Sequence, residues 1–306
     1  MRALVTGGTG LLGRALLAKL SKAVVLSRDP SRANRLGPSV EMHGWRPEVE
    51  TAPEEAFRRV DTIFHLAGEP VAEGRWTTEK KQRIRDSRIL GTRNLVAALA
   101  AAPSPVKVLV SASAVGIYGD RGDEALDETS PVGSGFLADV CAGWEREATA
   151  AEKLGVRVVC VRIGVVLAPN GGALGQMLTP FKLGLGGRLA SGRQWMPWIH
   201  IDDVVGALLH AGRHDEIHGP MNATSPHPVT NIDFTQALAG ALRRPAALAV
   251  PKTAVRLTFG EVSEVLLASQ RVLPRVAERT AYEFTFPELS GALAAVTDAP
   301  PAGAAA

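Results

Sequence analysis

Three glycines near the N-terminus have the spacing of a phosphate-binding turn. Gly7, Gly10 and Gly13 follow the pattern G-x-x-G-x-x-G between an apolar run and a helical pattern. Glycine permits the positive φ angle, the close approach to a pyrophosphate and the tight helix packing that this turn needs, and the helix start attracts phosphate. A turn that is merely tight is the alternative. The expected contacts with a dinucleotide are Gly7, Thr9, Gly10, Leu11, Leu12 and Gly13.

The residues after the second apolar run indicate which dinucleotide would bind. Sites for NAD usually place an acidic residue there, which accepts hydrogen bonds from the ribose 2′-hydroxyl. This chain has Ser27 and Arg28 instead, and a hydroxyl with a guanidinium suits a 2′-phosphate. Asp29 and a solvated role for Arg28 keep the alternative open. The pattern favours NADP(H).

A third candidate lies on the helix predicted for residues 77–101. Its inward stripe at helical spacing contains Arg88 among apolar side chains, whereas Arg83, Arg85 and Arg93 fall outside the stripe. A buried arginine needs an anion or carbonyl partner. The phosphates of the cofactor are one expected partner, and a buried structural salt bridge is the alternative.

Alternating strands and helices must position these residues. The predicted strands are residues 2–6, 23–27, 40–43, 62–66, 106–111 and 156–162, and the predicted helices are 11–20, 53–58, 77–101 and 137–154. Short apolar strands separated by helices predict an α/β fold with a doubly wound parallel Rossmann sheet and a smaller mixed C-terminal substrate domain. We expect residues 1–166 and 197–222 in the first domain, 167–196 and 223–297 in the second, and 298–306 as a disordered tail.

The composition excludes several classes of protein. A net charge of +3, from 34 basic and 31 acidic residues, is too small and too dispersed for a nucleic-acid-binding face. No apolar stretch is long enough to span a membrane, and Gly7 interrupts the first apolar run too early for a signal peptide. The two cysteines, Cys141 and Cys160, form neither a metal-ligand spacing nor a disulfide framework. We expect a cytoplasmic protein without a metal site.

Four further segments resemble the extended short-chain dehydrogenases/reductases. His65-Leu66-Ala67-Gly68 is similar to the segment beside the adenosine ribose in that superfamily. The run from Ser111 to Gly119 resembles its S-x-S and V-Y-G motifs. Residues 162–167, with Gly164 and Val165, resemble the segment that closes over the nicotinamide, and residues 198–204 resemble a later V-H-V-D-D-V signature.

The sequence is still more similar to an atypical branch whose members are called epimerase family proteins and resemble NAD-dependent epimerases/dehydratases. This resemblance is carried by Ala67-Gly68-Glu69 and by residues 180–187, 269–274 and 286–289, and it extends from Met1 to about Val296. It implies a Rossmann fold and NADP(H) binding, with Leu66, Ala67, Gly68, Gly164 and Val165 at the cofactor. It implies no particular substrate.

The pair of residues that performs the reaction in the superfamily is absent from this sequence. Active members carry Tyr-x-x-x-Lys on the helix after the fifth strand, where the lysine lowers the pKa of the tyrosine so that it can transfer a proton. The apolar stripe of this helix places Leu137 at the tyrosine position and Cys141 at the lysine position. The chain contains no Tyr-x-x-x-Lys motif.

Other side chains are weaker catalytic candidates. Ser113 is a candidate for orienting a carbonyl group and Tyr118 for donating a hydrogen bond, with loop polarity as the alternative for the serine. Glu69 is either a pocket carboxylate or an exposed acid, Cys141 is expected in the core, and His200 is expected to be structural. Asp202 is expected to cap the helix that follows it. Trp195 and Trp198 either line a substrate pocket or pack in the core of the smaller domain.

Two functions are compatible with these residues. The first is an NADP(H)-dependent, epimerase-like oxidoreductase of unknown substrate without the usual proton relay. The second is a non-catalytic NADP(H)-binding sensor or scaffold. In both cases the expected partner is a small molecule, without nucleic acid or membrane, and a homodimer is a possible assembly.

Overall fold

A parallel seven-stranded sheet forms the centre of the computed structural model, which describes residues 1–31, 36, 39–102, 105–169 and 171–297. The order of its strands is β12-β7-β5-β4-β1-β2-β3. These strands are β1 (Ala3–Thr6), β2 (Ala23–Ser27), β3 (Val40–Gly44), β4 (Thr62–His65), β5 (Val108–Ala114), β7 (Arg157–Ile163) and β12 (Gly219–Ala223). The chain therefore builds the sheet outward in two directions from the boundary between β1 and β4. The predicted Rossmann sheet is confirmed.

Helices cover both faces of this sheet. Those that pack on it are α1 (Leu11–Leu17), α2 (Thr78–Leu99), α3 (Phe136–Thr149), α5 (Ile201–Arg213) and α9 (Arg275–Arg279). The other helices in the described part of the chain are α4 (Gly172–Lys182), α6 (Asn231–Leu242), α7 (Lys252–Phe259), α8 (Ser263–Leu267) and α10 (Leu289–Thr297). Side chains alternate along each strand, so that Val5 packs with α1 and α5 whereas Leu4 packs with α2. Both faces of the sheet are consequently buried.

Within the described ranges, eight short strands lie outside the central sheet. They are β6 (Ala125–Leu126), β8 (Val165–Leu167), β9 (Gly187–Leu189), β10 (Trp195–Met196), β11 (Trp198–His200), β13 (Val229–Thr230), β14 (Leu248–Val250) and β15 (Arg271–Val272). They pair two by two, as β8 with β11, β9 with β14, β10 with β13 and β6 with β15. A separate apolar cluster joins Trp198 to α4, α6 and α10. After these elements the chain returns to the central sheet, where β12 pairs with β7. The division into two domains stays a prediction.

Several predicted boundaries shift. The helix predicted for residues 53–58 is a 3₁₀ helix at Glu54–Phe57. The helix predicted for residues 137–154 is α3 followed by a 3₁₀ helix at Ala150–Leu154. Asp202 is not the cap of α5, because the His200 ring accepts the hydrogen bond from the backbone N–H of Asp202. The predicted tail, residues 298–306, lies outside the described residues.

A buried carboxylate attaches the C-terminal segment to the central sheet. Asp203, on α5, is fully buried and accepts hydrogen bonds from the backbone N–H groups of Thr285 (2.7 Å) and Phe286 (2.9 Å). The Tyr282 hydroxyl lies 3.0 Å from the backbone oxygen of Asp203. A side chain at Gly206 would collide with that hydroxyl, so the glycine permits the contact. These bonds fix the C-terminal segment against α5.

Replacement of Asp203 should therefore destabilise the whole fold. Asp203→Ala leaves two partly buried N–H groups without their acceptor and empties a buried position, and we expect the free energy of unfolding to fall by about 3 kcal/mol in urea denaturation. The matched control is Asp202→Ala, because the Asp202 side chain is about half exposed and should contribute less than about 1 kcal/mol at the helix start. Equal losses in the two variants would contradict the proposed attachment.

Candidate functional site: a crevice at the carboxyl ends of the strands

The glycine turn between β1 and α1 is built from close backbone contacts. Gly7 has a φ angle of +70°, and a Cβ atom there would lie 2.8 Å from the carbonyl group of Leu66. A Cβ atom on Gly13 would lie 2.2 Å from the carbonyl oxygen of Gly7. Side chains are thus excluded at both positions, and the backbone of the turn is open toward the crevice. The predicted geometry of the turn agrees with these contacts.

The first turn of α1 faces a cleft of about 510 Å³. Gly10 caps the helix without any side-chain hydrogen bond, and the first turn contains no acidic residue. Its N–H groups and the positive end of its dipole are therefore available to an anion. Thr9, Leu11 and Leu12 are partly exposed in this region. The lining residues of the cleft are Thr9, Gly10, Leu11, Arg14, Ala15, Ala168, Pro169 and Ile201.

The end of β2 presents a hydroxyl group and a guanidinium group. The Ser27 hydroxyl lies 3.2 Å from the backbone nitrogen and 3.2 Å from the backbone oxygen of Asp29, which shapes the turn after the strand. Arg28 is exposed. No acidic side chain occupies the last position of β2. The arrangement suits a phosphate better than a hydroxyl group that needs a carboxylate acceptor.

A buried hydrogen-bond chain fixes the boundary between β1 and β4. The Thr6 hydroxyl accepts hydrogen bonds from the N–H groups of Leu66 and Ala67, both at 3.1 Å, and therefore donates its own proton to Nδ1 of His65 at 2.7 Å. Burial lowers the pKa of His65 to about 4, so the ring is neutral. Its Nε2–H then donates to Thr92 at 2.9 Å. The result is a rigid Leu66–Ala67 backbone beneath the glycine turn.

Arg88 lies directly under Gly68, on the inward face of α2 as predicted. Its Nη1 donates to the carbonyl oxygens of Glu69 (3.0 Å) and Ile84 (3.2 Å), and the guanidinium group lies 5.0 Å from the centre of the Trp144 ring. Burial lowers its pKa from the usual value. No carboxylate within the described ranges forms an ion pair with Arg88, so the salt-bridge alternative is wrong. Carbonyl groups and an indole face hold the cation instead.

Glu69 is paired rather than free. Its carboxylate lies 2.8 Å from the ammonium group of buried Lys80 and 3.5 Å from Arg83. The hydrogen bond from Lys80 is the main reason that the pKa of Glu69 is lowered, and the carboxylate is ionised at neutral pH. The loop after β4 therefore carries an ion pair beside the crevice, and Glu69 is no candidate for a general acid there.

The helix α3 places inert side chains at the positions of the missing relay. Leu137 packs against Gly116 and Cys141 is buried. Burial raises the pKa of the Cys141 thiol to about 11, so it is neither a nucleophile nor a base at neutral pH. Cys160 is buried as well, and its pKa is raised to about 12 for the same reason. The expectation that Cys141 is a core residue is confirmed.

The hydroxyl group of Ser113 is bound within the protein. It donates to the Glu145 carboxylate at 2.6 Å, and the same carboxylate receives a bidentate hydrogen bond from Arg162 at 2.9 and 2.8 Å. A serine hydroxyl has one proton, so Ser113 has none left for a substrate carbonyl in this arrangement. Its catalytic role stays a prediction, and this geometry argues against it.

Tyr118 is fully buried, which removes its side chain from the crevice. Its hydroxyl lies 2.8 Å from Oδ1 of Asn222, 2.9 Å from the carbonyl oxygen of Asp127 and 3.0 Å from Nη1 of Arg162, which donates to it. Burial is the main cause of its raised pKa. The phenol is therefore neutral at physiological pH and is satisfied within the protein. Its predicted hydrogen bond to a substrate is also disfavoured by this geometry.

The end of β7 contributes backbone to the crevice. A Cβ atom on Gly164 would lie 2.2 Å from the carbonyl oxygen of Pro197, and the N–H of Val165 donates to the same oxygen at 2.7 Å. Gly164 and Val165 are half-buried at the carboxyl end of the sheet, where they are predicted to lie. The glycine thus permits β8 and β11 to pair beside the crevice.

The remaining aromatic and histidine candidates have structural environments. The His200 ring packs on Phe286 at 3.9 Å between centroids, and burial lowers its pKa. Trp198 is fully buried and donates to the carbonyl oxygen of His227 at 3.1 Å. Trp195 is partly buried and donates to Asp123 at 2.9 Å. Trp198 is therefore a core residue, and His200 is the helix cap described above.

Sequence reasoning missed several residues of the site. Arg14 lines the cleft at α1, yet its position in a helical pattern gives no functional signal. Glu145 and Asn222 complete the network around Ser113 and Tyr118. One signal was present in the sequence, because Arg162 interrupts an apolar strand and a buried arginine requires a partner.

The described part of the chain contains neither a candidate metal site nor a candidate membrane-spanning helix. No group of three or more histidine, cysteine, aspartate or glutamate side chains in that part is placed to hold a metal ion. No helix in it is long and apolar enough to cross a membrane.

Comparisons with known proteins give a consistent assignment of the fold. The sequence pattern of the NAD dependent epimerase/dehydratase family matches residues 3–223, and that of a domain of unknown function, DUF1731, matches residues 250–296. An epimerase family protein of Mycobacterium bovis is 43% identical over 302 residues, which cover 97% of this chain and 97% of the relative. The crystal structure of human epimerase family protein SDR39U1 with NADPH has a TM-score of 0.86 and 36% identity, and the match covers 97% of this chain and 99% of the human chain.

The buried histidine predicts a pH dependence of stability. The folded-state pKa of His65, about 4, lies below the unfolded value of about 6.5, so the unfolded state binds more protons between these values and stability falls as the pH falls. We expect His65 to contribute about 2 kcal/mol to the loss of unfolding free energy between pH 7.5 and pH 5.

This contribution can be isolated with His65→Gln, whose amide group can still accept from Thr6 and donate to Thr92. Urea denaturation at both pH values should give a smaller loss of stability for the variant than for the wild type. An identical loss in the two proteins would show that His65 does not titrate as its burial requires.

Proposed function

Because the chain belongs to the NAD dependent epimerase/dehydratase family, we propose that it is an NADP(H)-binding oxidoreductase whose reaction does not use a Tyr-x-x-x-Lys relay. One observation supports the cofactor above all others. Gly7 and Gly13 exclude side chains by backbone contacts, and they open the uncapped start of α1 toward a cleft of about 510 Å³. A pyrophosphate fits this turn, since its charge meets unpaired N–H groups.

The second nucleotide feature, the 2′-phosphate, fits the end of β2. Ser27 supplies a hydroxyl group there and Arg28 an exposed guanidinium group, without an acidic side chain at the strand end. Human SDR39U1, 36% identical to this chain, was crystallised with NADPH. We therefore assign Gly7, Thr9, Gly10, Leu11, Leu12, Gly13, Ser27, Arg28, Leu66, Ala67, Gly68, Arg88, Gly164 and Val165 to the cofactor site.

The reaction must depend on positioning. When bound, NADP(H) supplies or accepts a hydride, whereas Ser113 and Tyr118 are bound within the protein and the Cys141 thiol is neutral. Loss of a general acid costs a reaction about 10²–10⁴ in rate, while orientation of the reactants is retained. The rigid Leu66–Ala67 backbone, Gly164 and Val165 are the groups that this chain offers for orientation.

A non-catalytic NADP(H)-binding sensor is the second candidate. It is favoured by one specific observation, namely that the hydroxyl groups of Ser113 and Tyr118 are satisfied within the protein by Glu145 and Asn222. Such a protein needs a specific cofactor site but no proton donor beside the nicotinamide. Binding and turnover experiments separate the two candidates.

The cofactor assignment predicts a loss of nucleotide preference in Arg28→Ala. In fluorescence titrations we expect wild-type protein to bind NADPH at least about tenfold more tightly than NADH, since a charge-assisted contact to the 2′-phosphate favours NADPH. Arg28→Ala should remove this gap.

The matched control for that titration is Lys22→Ala. Lys22 is exposed just before β2, at the opposite end of the same strand, and its removal should leave the preference unchanged. If wild-type protein binds neither nucleotide at millimolar concentration, the proposed function is wrong. If it binds both equally, Arg28 does not recognise the 2′-phosphate.

The oxidoreductase proposal predicts slow turnover. A panel of aldehydes and ketones incubated with NADPH and a high concentration of protein should contain at least one compound that speeds the loss of NADPH absorbance. The control is Gly13→Val, because its side chain would collide with the Gly7 carbonyl group and prevent cofactor binding. A broad panel without turnover would favour the sensor, whereas a reproducible activity that Ser113→Ala abolishes would contradict the sensor.

A further inference from the structure

Arg88 and Cys141 occupy neighbouring positions on different helices. Cys141 lies on α3 at the position of the relay lysine, and the charge of Arg88 is close enough to act on the pKa of its thiol. Trp144, about one helical turn after Cys141, packs its ring under the guanidinium group. A cation from α2 therefore lies beside the position where the sequence pattern of active relatives would place a cation from α3.

The contacts of Arg88 leave part of its guanidinium group free. Only Nη1 donates within the described residues, to the carbonyl oxygens of Glu69 and Ile84. A Cβ atom on Gly68 would lie 3.1–3.3 Å from the guanidinium atoms, so the glycine permits the loop after β4 to lie close to the group. Nε1 of buried Trp144 also has no hydrogen-bond partner in the described part of the chain. Arg88 and the neighbouring Trp144 thus both carry donors that an oxygen acceptor would satisfy.

The strand order shows which half of a dinucleotide would lie near Arg88. The turn for the pyrophosphate follows β1 and the 2′-phosphate position follows β2, on one side of the point where the strand order reverses. Arg88 lies below Gly68, after β4, and packs on α3 on the other side. A dinucleotide that crosses this point brings its nicotinamide half, not its adenosine half, over β4 and β5.

We propose that Arg88 supplies from α2 the positive charge at the nicotinamide half of NADP(H) that the missing lysine does not supply from α3. This inference rests on the proposed cofactor site and departs from two sequence-based expectations, namely that Arg88 contacts the phosphates and that the segment ending at Gly68 lies beside the adenosine ribose. Arg88 is then a positioning residue, and its carbonyl and indole contacts fix the guanidinium group before the cofactor arrives.

The use of an arginine from α2 in place of a lysine from α3 has a physical basis. A second ammonium group at position 141 would lie beside the guanidinium group, and two like charges in a buried site repel strongly. A small neutral thiol removes this repulsion. Guanidinium also remains charged on burial, whereas a lysine readily loses its proton there. A charged Arg88 beside a neutral Cys141 therefore avoids repulsion between like charges. Because α3 carries Leu137 where active relatives carry the tyrosine, Arg88 has no phenol there whose pKa it could lower.

The experiment compares two ligands that differ in the nicotinamide half. NADPH contains it, whereas 2′-phospho-ADP contains the adenosine, the 2′-phosphate and the diphosphate only. We expect Arg88→Gln and Arg88→Met to weaken NADPH binding about tenfold or more and to leave 2′-phospho-ADP binding within about twofold of wild type. The methionine variant keeps an unbranched side chain on Trp144, and thermal unfolding shows that each variant is folded.

Arg93→Gln is the matched control, since Arg93 lies on the same helix but forms an exposed ion pair with Glu147. It should change neither affinity. Equal weakening of both ligands in folded Arg88 variants would assign Arg88 to the diphosphate and overturn the inference, as would unchanged binding of both. If wild-type protein binds neither ligand, it is the proposed function itself that fails.

Discussion

The hydrogen-bond chain Thr6–His65–Thr92 is the constraint on which the crevice depends. It joins the last residues of β1 and β4 at the point where the strand order reverses, and α2 supplies its final acceptor. Because Thr6 also holds the N–H groups of Leu66 and Ala67, the same hydroxyl determines the surface on which Gly7 packs. The chain requires a neutral histidine. In a protonated ring Nδ1 carries a hydrogen, so it could not accept the hydrogen bond from the Thr6 hydroxyl. The geometry of the glycine turn thus follows from a buried group that does not itself reach the crevice.

The two catalytic candidates of the sequence, Ser113 and Tyr118, belong to a buried structural network. Glu145 and Arg162 form a bidentate pair, and Ser113 and Tyr118 satisfy the remaining donors and acceptors of that pair. Burying two charges is costly unless every lone pair and proton is matched, and a half-satisfied network would be worse than an apolar one. The hydroxyl groups are consequently needed for the fold. The same hydrogen bonds argue against a contact between these hydroxyl groups and a substrate.

The sequence predicts the fold and the cofactor turn well because both depend on local patterns. Glycine spacing, alternating strands and the inward stripe of α2 are all visible along the chain, and the structure places Gly7, Gly13 and Arg88 accordingly. The network around Glu145 was not predictable in the same way. Its members come from β5, α3, β7 and β12, and only the folded sheet brings Asn222 next to Tyr118. The prediction that Asp202 caps α5 failed for a different reason. Aspartate is a preferred residue type at a helix start, but the His200 ring, at the end of the preceding strand, accepts the hydrogen bond from the N–H of Asp202.

The C-terminal segment is tied to the central fold by buried polar groups, although it matches a separate sequence pattern. Residues 269–286 satisfy buried groups of the central fold, since Gln270 donates to the carbonyl oxygens of Val115 and Gly119 and Glu128 accepts from the N–H of Val276. Asn222 donates to the carbonyl oxygen of Leu273 as well. If this segment were displaced, the polar groups on both sides would be left without partners, at a cost of about 1–3 kcal/mol each. These hydrogen bonds tie the segment to the loop after β5 and to the end of the central sheet.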